Sequence, residues 1–129
     1  MFDFLNREHR LTFEEMRSDL KPYHRNNEEF LSVLFIMAGH KELQLKISPY
    51  FSESGEFHSV EMFDEQDFSR GMMVMAKLAV HLFNNNVTVE PLDLMSLDDE
   101  LFTLAMNAIK LRRNGISNSY NVKGGQSYI

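Results

Sequence analysis

The chain has no cysteine among its 129 residues. This absence excludes zinc sites built on cysteine, iron–sulfur clusters, catalysis by a thiol and redox sensing. Basic residues are also scarce, because 13 lysines and arginines face 19 aspartates and glutamates, and the net charge is −6. A protein of this charge lacks the positive surface that attracts phosphates, so we expect no nucleic-acid partner.

Long apolar runs are absent as well. The longest run, residues 72–83, is interrupted by Lys77 and His81, and it is shorter than the roughly 20 residues that cross a bilayer. The first residues show neither the basic start nor the apolar stretch of a secretory signal. We therefore expect a soluble cytoplasmic protein without a membrane partner.

The pattern that is present is helical. The chain is 43% apolar and 25% charged, an ordinary composition for one globular domain. Apolar residues recur at the spacing of a helix face in five segments, which begin near residues 6, 26, 40, 64 and 96. We predict an all-α fold, a single compact domain of about five helices over residues 1–115. Residues 116–129 are polar and rich in glycine, and we expect them to form a C-terminal tail.

Polar residues mark the boundaries of the first two helices. Asn6 is a good N-cap for the first helix, and Asn26 or Asn27 is one for the second. Gly39 follows the second apolar run and predicts its end. Residues 57–63 show neither a clear helical period nor a clear strand period. We therefore expect at most a short strand pair between the third and fourth predicted helices.

The two later helices have less certain starts. Either Asp64 or Asp67 is suited to cap the fourth helix, which then runs through the most apolar part of the chain. Ser96 is the predicted cap of the fifth helix, because Asp99 follows it at the spacing of a capping box. Asn114 and Gly115 predict the end of that helix.

Histidine is the first candidate for chemistry. His9, His40 and His81 fall on three predicted helices, with Glu8 and Glu42 beside two of them. Helical bundles hold metals with such side chains on facing helices, so a metal-dependent enzyme is one alternative. No metal-binding spacing such as His-Glu-x-x-His occurs. The alternative is that His9 caps or packs at a helix start, His40 lies in a turn between helices and His81 continues a solvated edge. We therefore predict no catalytic residue, no metal site and no cofactor.

The carboxylates are distributed more informatively. Residues 53–67 and 90–100 hold eleven of the nineteen carboxylates and no lysine or arginine, and each block leads into a predicted helix start. If these helices start on the same side of the domain, the blocks merge into one negative surface that attracts a basic protein. The alternative is that they serve solubility and the helix dipole. The predicted partner-binding residues are Glu53, Glu56, Glu61, Asp64, Glu65, Asp67, Glu90, Asp93, Asp98, Asp99 and Glu100.

Methionine is the third informative residue type. The chain has nine methionines and no tryptophan, and four of the methionines lie close together at positions 62, 72, 73 and 75. Methionine fills irregular cores but also forms adaptable binding surfaces. A homodimer that packs through the fourth helix or through an exchanged C-terminal tail is therefore an alternative, with Met73 and Val74 as the residues to test.

Three stretches carry a family resemblance: Phe4-Leu5-Asn6-x-Glu8-His9 with Phe13 after it, the apolar residues 30–37, and Leu78-Ala79-x-x-Leu82-Phe83-Asn84. Together they cover roughly residues 2–86. They resemble a family of small uncharacterised proteins of Firmicutes and their phages. The family has no assigned activity, so the resemblance implies a context, which is a bacterial cytoplasm or a prophage.

The sequence thus leads to one main functional hypothesis. We expect a non-enzymatic protein–protein interaction module that binds its partner through an acidic surface. The resemblance implies a concrete form of this function, a phage-derived regulator or inhibitor of a host protein. The alternatives are a homodimeric structural protein and a metal-dependent enzyme with a histidine and carboxylate site.

Overall fold

The computed structural model describes residues 1–116. In this range the chain forms seven helices: α1 (Arg7–Ser18), α2 (Glu28–Ala38), α3 (Lys41–Ile47), α4 (Ser59–Glu65), α5 (Arg70–Asn84), α6 (Pro91–Met95) and α7 (Asp99–Asn114). Over the same residues, β pairing amounts to one isolated bridge between Phe51 and Phe57. The all-α prediction is confirmed, with two more helices than the periodicity indicated.

Helix α2 lies at the centre of the fold. Its residues 30–37 are all buried, and α1, α3, α5 and α7 all pack against it. A helix that is apolar on every side must be covered on every side, so its composition accounts for its central position. None of the helices in residues 1–116 has both the length and the apolar character needed to cross a bilayer.

The predicted boundaries of the first two helices are correct. The Asn6 side chain accepts a hydrogen bond from the His9 N–H at 2.8 Å, and Asn27 accepts from two amides of α2. Gly39 ends α2, but its φ of −83° lies in the ordinary right-handed region. Its role is one of space, because a β-carbon there would lie 2.5 Å from the Leu104 Cδ1 of α7.

The predicted caps of the fourth helix, Asp64 and Asp67, are wrong. Residues 59–65 form α4, and Asp64 lies inside that helix. Asp67 lies in the link to α5, and Ser69, not an aspartate, precedes α5. Helix α4 buries Ser59 and Met62, so only one of its fully buried residues is apolar and no apolar period is visible in the sequence.

The predicted start of the last helix is also wrong. Ser96 ends α6, where its hydroxyl donates to the Asp93 carbonyl at 2.8 Å. The N-cap of α7 is Asp98, whose carboxylate accepts from the Leu101 N–H at 2.9 Å. Both Ser96 and Asp98 are suitable N-cap residues. Because Ser96 already ends α6, Asp98 is the residue that caps α7.

The end of the described chain differs from the predicted tail at one residue. Gly115 terminates α7 as predicted, with a left-handed φ of 78°. Ile116, the first residue of the predicted tail, is buried and belongs to the core. The rest of that prediction, residues 117–129, lies outside the described residues.

Candidate partner-binding surface

His9 is buried and both of its ring nitrogens are used. Its Nδ1 accepts from the Leu5 N–H at 3.0 Å, so the proton is on Nε2, which donates to the Phe35 carbonyl at 2.8 Å. Burial lowers the pKa of His9 below its ordinary value, although the bond to Phe35 opposes that change. A neutral ring with both nitrogens engaged holds the N-terminal segment on α2 and has no lone pair left for a metal.

The other two histidines are engaged at different places. His40 caps α3, with Nδ1 accepting from the Glu42 N–H at 3.2 Å. His81 Nδ1 donates to the Val87 carbonyl at 2.9 Å. His9 and His40 line one cleft of about 160 Å³ together with Glu8, whereas His81 does not line it. No group of three or more histidines or carboxylates within residues 1–116 is placed to hold a metal ion.

Helices α5 and α7 lie side by side and run in the same direction. Near their starts, a β-carbon on Gly71 would lie 3.1 Å from the Leu101 Cδ1. Near their ends, the Arg112 Nε donates to the Leu82 carbonyl at 2.7 Å. Gly71 and Leu82 are eleven residues apart on α5, and Leu101 and Arg112 are eleven residues apart on α7. The equal separations show that the two helices run parallel. The geometric condition for merging the acidic blocks, helix starts at the same end, is therefore met.

The two acidic blocks meet at these helix starts. Asp67 lies four residues before Gly71, and residues 98–100 lie between Leu97 and Leu101, the two side chains that face Gly71. Helix α4 ends just before, and the Phe63 and Phe68 rings, 6.2 Å apart, join its end to the start of α5. We define the acidic end as the carboxylates of this region: Asp64, Glu65, Asp67, Asp98, Asp99 and Glu100.

These carboxylates are available to a partner. All eleven predicted residues are exposed, and in the part of the chain that the structure describes none forms an ion pair with lysine or arginine. Three have local roles: Asp98 caps α7, Glu56 lies 3.6 Å from the His58 Nε2, and Glu65 accepts from the Tyr50 hydroxyl at 2.6 Å. That bond raises the pKa of Tyr50 above its ordinary value.

Two cations lie at the acidic end. Lys46 donates to the backbone carbonyl of Asp67 and, at 2.9 Å, to the carboxylate of Glu42. Arg70 is exposed at the first residue of α5, where the helix dipole disfavours a positive charge. Six carboxylates against these two cations leave the surface strongly negative.

Glu53 and Glu56 of the first acidic block lie elsewhere. The Phe57 ring is 5.9 Å from the ring of Phe83 near the end of α5, so the neighbouring Glu56 lies at that end. At 1.5 Å of rise per residue, this is about 18 Å from Gly71. Glu53 lines a separate cleft of about 170 Å³ beside Leu20 and Leu34. The eleven residues therefore do not form one patch.

Comparison with known proteins finds no match among protein-family models, curated proteins or solved structures. The resemblance to the bacterial and phage family stays a prediction.

The structure also shows an apolar feature that the sequence patterns did not single out. Leu92 and Met95 on α6 are 71% and 67% exposed, while Leu94 between them packs against the core. The interface residues expected on α5 are less exposed, since Met73 and Val74 are both partly buried and Met73 packs against the core. The sequence signal for α6 was the short run Leu-Asp-Leu-Met after Pro91, which is too brief to show a helical period.

Proposed function

We propose that this protein is a non-enzymatic interaction module that binds a basic protein through the acidic end. The observation that supports the proposal is the parallel packing of α5 and α7, marked by Gly71 against Leu101 and by Arg112 against Leu82. This packing gathers six exposed carboxylates from two separate segments around one pair of helix starts.

The physical consequence of this arrangement is a negative field at one end of the molecule. Such a field steers an oppositely charged surface into the correct orientation and raises the association rate. Because exposed charges are screened over about 8 Å at physiological ionic strength, binding of this kind weakens steeply with salt. A phage or bacterial regulator that captures a basic host protein is the concrete form of the proposal.

Affinity co-purification from a bacterial lysate at low and at high salt, with mass spectrometry of the retained proteins, tests the proposal. A neutralised variant, Asp64→Asn with Asp99→Asn and Glu100→Gln, is compared with the unmodified protein. The matched control is Glu8→Gln with Glu15→Gln and Glu28→Gln. The control also removes three exposed carboxylates, two of them in first turns of helices, so it matches the loss of charge and of dipole stabilisation.

We expect a specific protein to be retained at low salt, lost at high salt, lost in the neutralised variant and kept in the control. Retention that does not depend on salt would overturn the electrostatic proposal. Equal loss in the variant and the control would show that overall charge, not the acidic end, governs binding.

A further inference from the structure

Helix α6 presents an apolar face that the rest of residues 1–116 does not cover. Leu92 and Met95 are three residues apart, so they lie on one side of the helix, and both are mostly exposed. Leu94, on the other side, packs against the core and holds the helix in place. No residue of α6 is fully buried. The helix is therefore anchored by one side chain and offers two others to solvent.

The charges of the segment that carries this face, residues 90–100, all have the same sign. Glu90 is the N-cap of α6, and Asp93 lies on the helix between Leu92 and Met95. Three more carboxylates follow at residues 98–100, and no lysine or arginine occurs anywhere in residues 90–100. An apolar centre with a rim of one charge is the arrangement of a protein-binding surface, and it selects the partner by charge as well as by shape.

We propose that the face formed by Leu92 and Met95 is the docking site of a cationic amphipathic helix. The apolar side chains of that helix cover Leu92 and Met95, and its lysines or arginines reach the carboxylates of α6 and of the acidic end. Helices with apolar residues at positions i, i+3 and i+4 dock on other proteins in this way. The inference rests on the proposed function, because it names the class of partner that the acidic end attracts.

Charge complementarity favours this occupant over the others. A second copy of the chain would bring an identical set of five carboxylates against the first, without a cation within either segment to compensate. Anionic lipid headgroups and nucleic-acid phosphates would be repelled for the same reason. A flexible methionine at the centre suits a partner whose apolar side chains it must adapt to.

The probe that tests the inference is a synthetic helical peptide of leucine and lysine, with leucines at positions i, i+3, i+4 and i+7. Its control peptide has serine in place of leucine and keeps every lysine. Binding to the full-length protein is measured by fluorescence anisotropy at several salt concentrations. We expect the leucine peptide to bind about tenfold more tightly than the serine peptide, because it buries Leu92 and Met95.

The protein variant that tests the site is Leu92→Ser with Met95→Ser. The matched control is Leu11→Ser with Leu45→Ser, which removes two exposed apolar side chains from α1 and α3. We expect the first pair to abolish the tenfold preference for the leucine peptide and the control pair to preserve it. All four side chains are exposed, so thermal unfolding should stay close to that of the unmodified protein.

Failure of this inference is distinguishable from failure of the proposed function. If both peptides bind equally and salt weakens both, the acidic end acts by charge alone; the docking site is then overturned and the proposed function stands. If neither peptide shows salt-dependent binding, the proposed function fails as well. A preference for the leucine peptide that the control pair also abolishes would place the site elsewhere.

Two further measurements distinguish other occupants of α6. Sedimentation of the unmodified protein should give a monomer; a dimer that Leu92→Ser with Met95→Ser dissociates would assign the face to a second copy. In spectra of the free protein, resonances of residues 117–129 should be unchanged by the same pair. A shift there would assign the face to the protein's own C-terminal segment and overturn the proposal.

Discussion

His9 donates its Nε2 proton to the Phe35 carbonyl across 2.8 Å inside the core. The bond joins the start of α1 to the middle of α2, and the Leu5 amide occupies the opposite nitrogen of the same ring. The aromatic rings of Phe4 and Phe35 pack against the imidazole, at centroid distances of 5.2 and 4.4 Å. A charged imidazolium is poorly accommodated here, because it would break the bond from Leu5 and lie among apolar rings.

This burial predicts an acid-sensitive contribution to stability. The pKa of His9 in the folded protein is lowered by desolvation, so the unfolded chain takes up the proton more readily. The contribution is complete above the unfolded pKa near 6.5 and is lost as the pH falls through that value toward the folded pKa. We expect the melting temperature to fall more steeply between about pH 7 and pH 5 in the unmodified protein than in His9→Gln. His58→Gln, at an exposed histidine, should keep the steep dependence; a shallow one in the unmodified protein would contradict the prediction.

Glu14 has the opposite dependence. Burial raises its pKa above the ordinary value, although Arg17 and Arg10 oppose this change. Its Oε2 atom is buried and has no hydrogen-bond partner in the structure. The folded protein therefore favours the protonated form, and the charge at neutral pH disfavours folding. We expect Glu14→Gln to raise the melting temperature at about pH 7, measured by circular dichroism, and Glu15→Gln on the exposed side of α1 to leave it unchanged. A decrease for Glu14→Gln would show that the contact with Arg17 dominates.

Helices α2 and α7 pack closely at Gly39. A β-carbon there would lie 2.5 Å from the Cδ1 of Leu104, whose side chain is fully buried. We expect Gly39→Ala to lower the free energy of unfolding by about 1–3 kcal/mol, as overpacking does. Combined with Leu104→Val, which removes bulk at the same contact, the loss should be smaller than the sum of the two single changes. Additive losses in urea unfolding would contradict a direct contact.

The cap of α7 offers a test of the structure against the sequence pattern. Asp98→Ala removes the hydrogen bond to the Leu101 amide and should lower the free energy of unfolding by about 1 kcal/mol. Ser96→Ala removes only an exposed bond at the end of α6 and should cost much less. A larger loss of unfolding free energy for Ser96→Ala than for Asp98→Ala, in matched urea unfolding experiments, would indicate that Ser96 is the cap.

Local features of the fold were predictable because they depend on a few consecutive residues. Asn6 and Asn27 cap helices through amides within three residues of themselves, and such bonds need no tertiary structure. Helix α2 was predictable from its apolar run, which only Ser32 interrupts. The short helices α4 and α6 were not, because α4 buries one serine and one methionine and α6 buries no residue fully, so neither shows an apolar period.

The sequence predicted which carboxylates could form the candidate site, but not which of them lie together. Eleven carboxylates in two blocks without a lysine or arginine are a property of the chain alone, and so is their charge. Which six of them meet is decided by α5 and α7 packing in parallel through Gly71 and Leu101. Likewise, no local pattern predicted that Leu92 and Met95 face solvent while Met72 and Met75 are buried. A periodic pattern marks apolar positions but does not distinguish those that are buried from those that are exposed. Only the packing of helices that are distant in sequence determines which apolar side chains are buried.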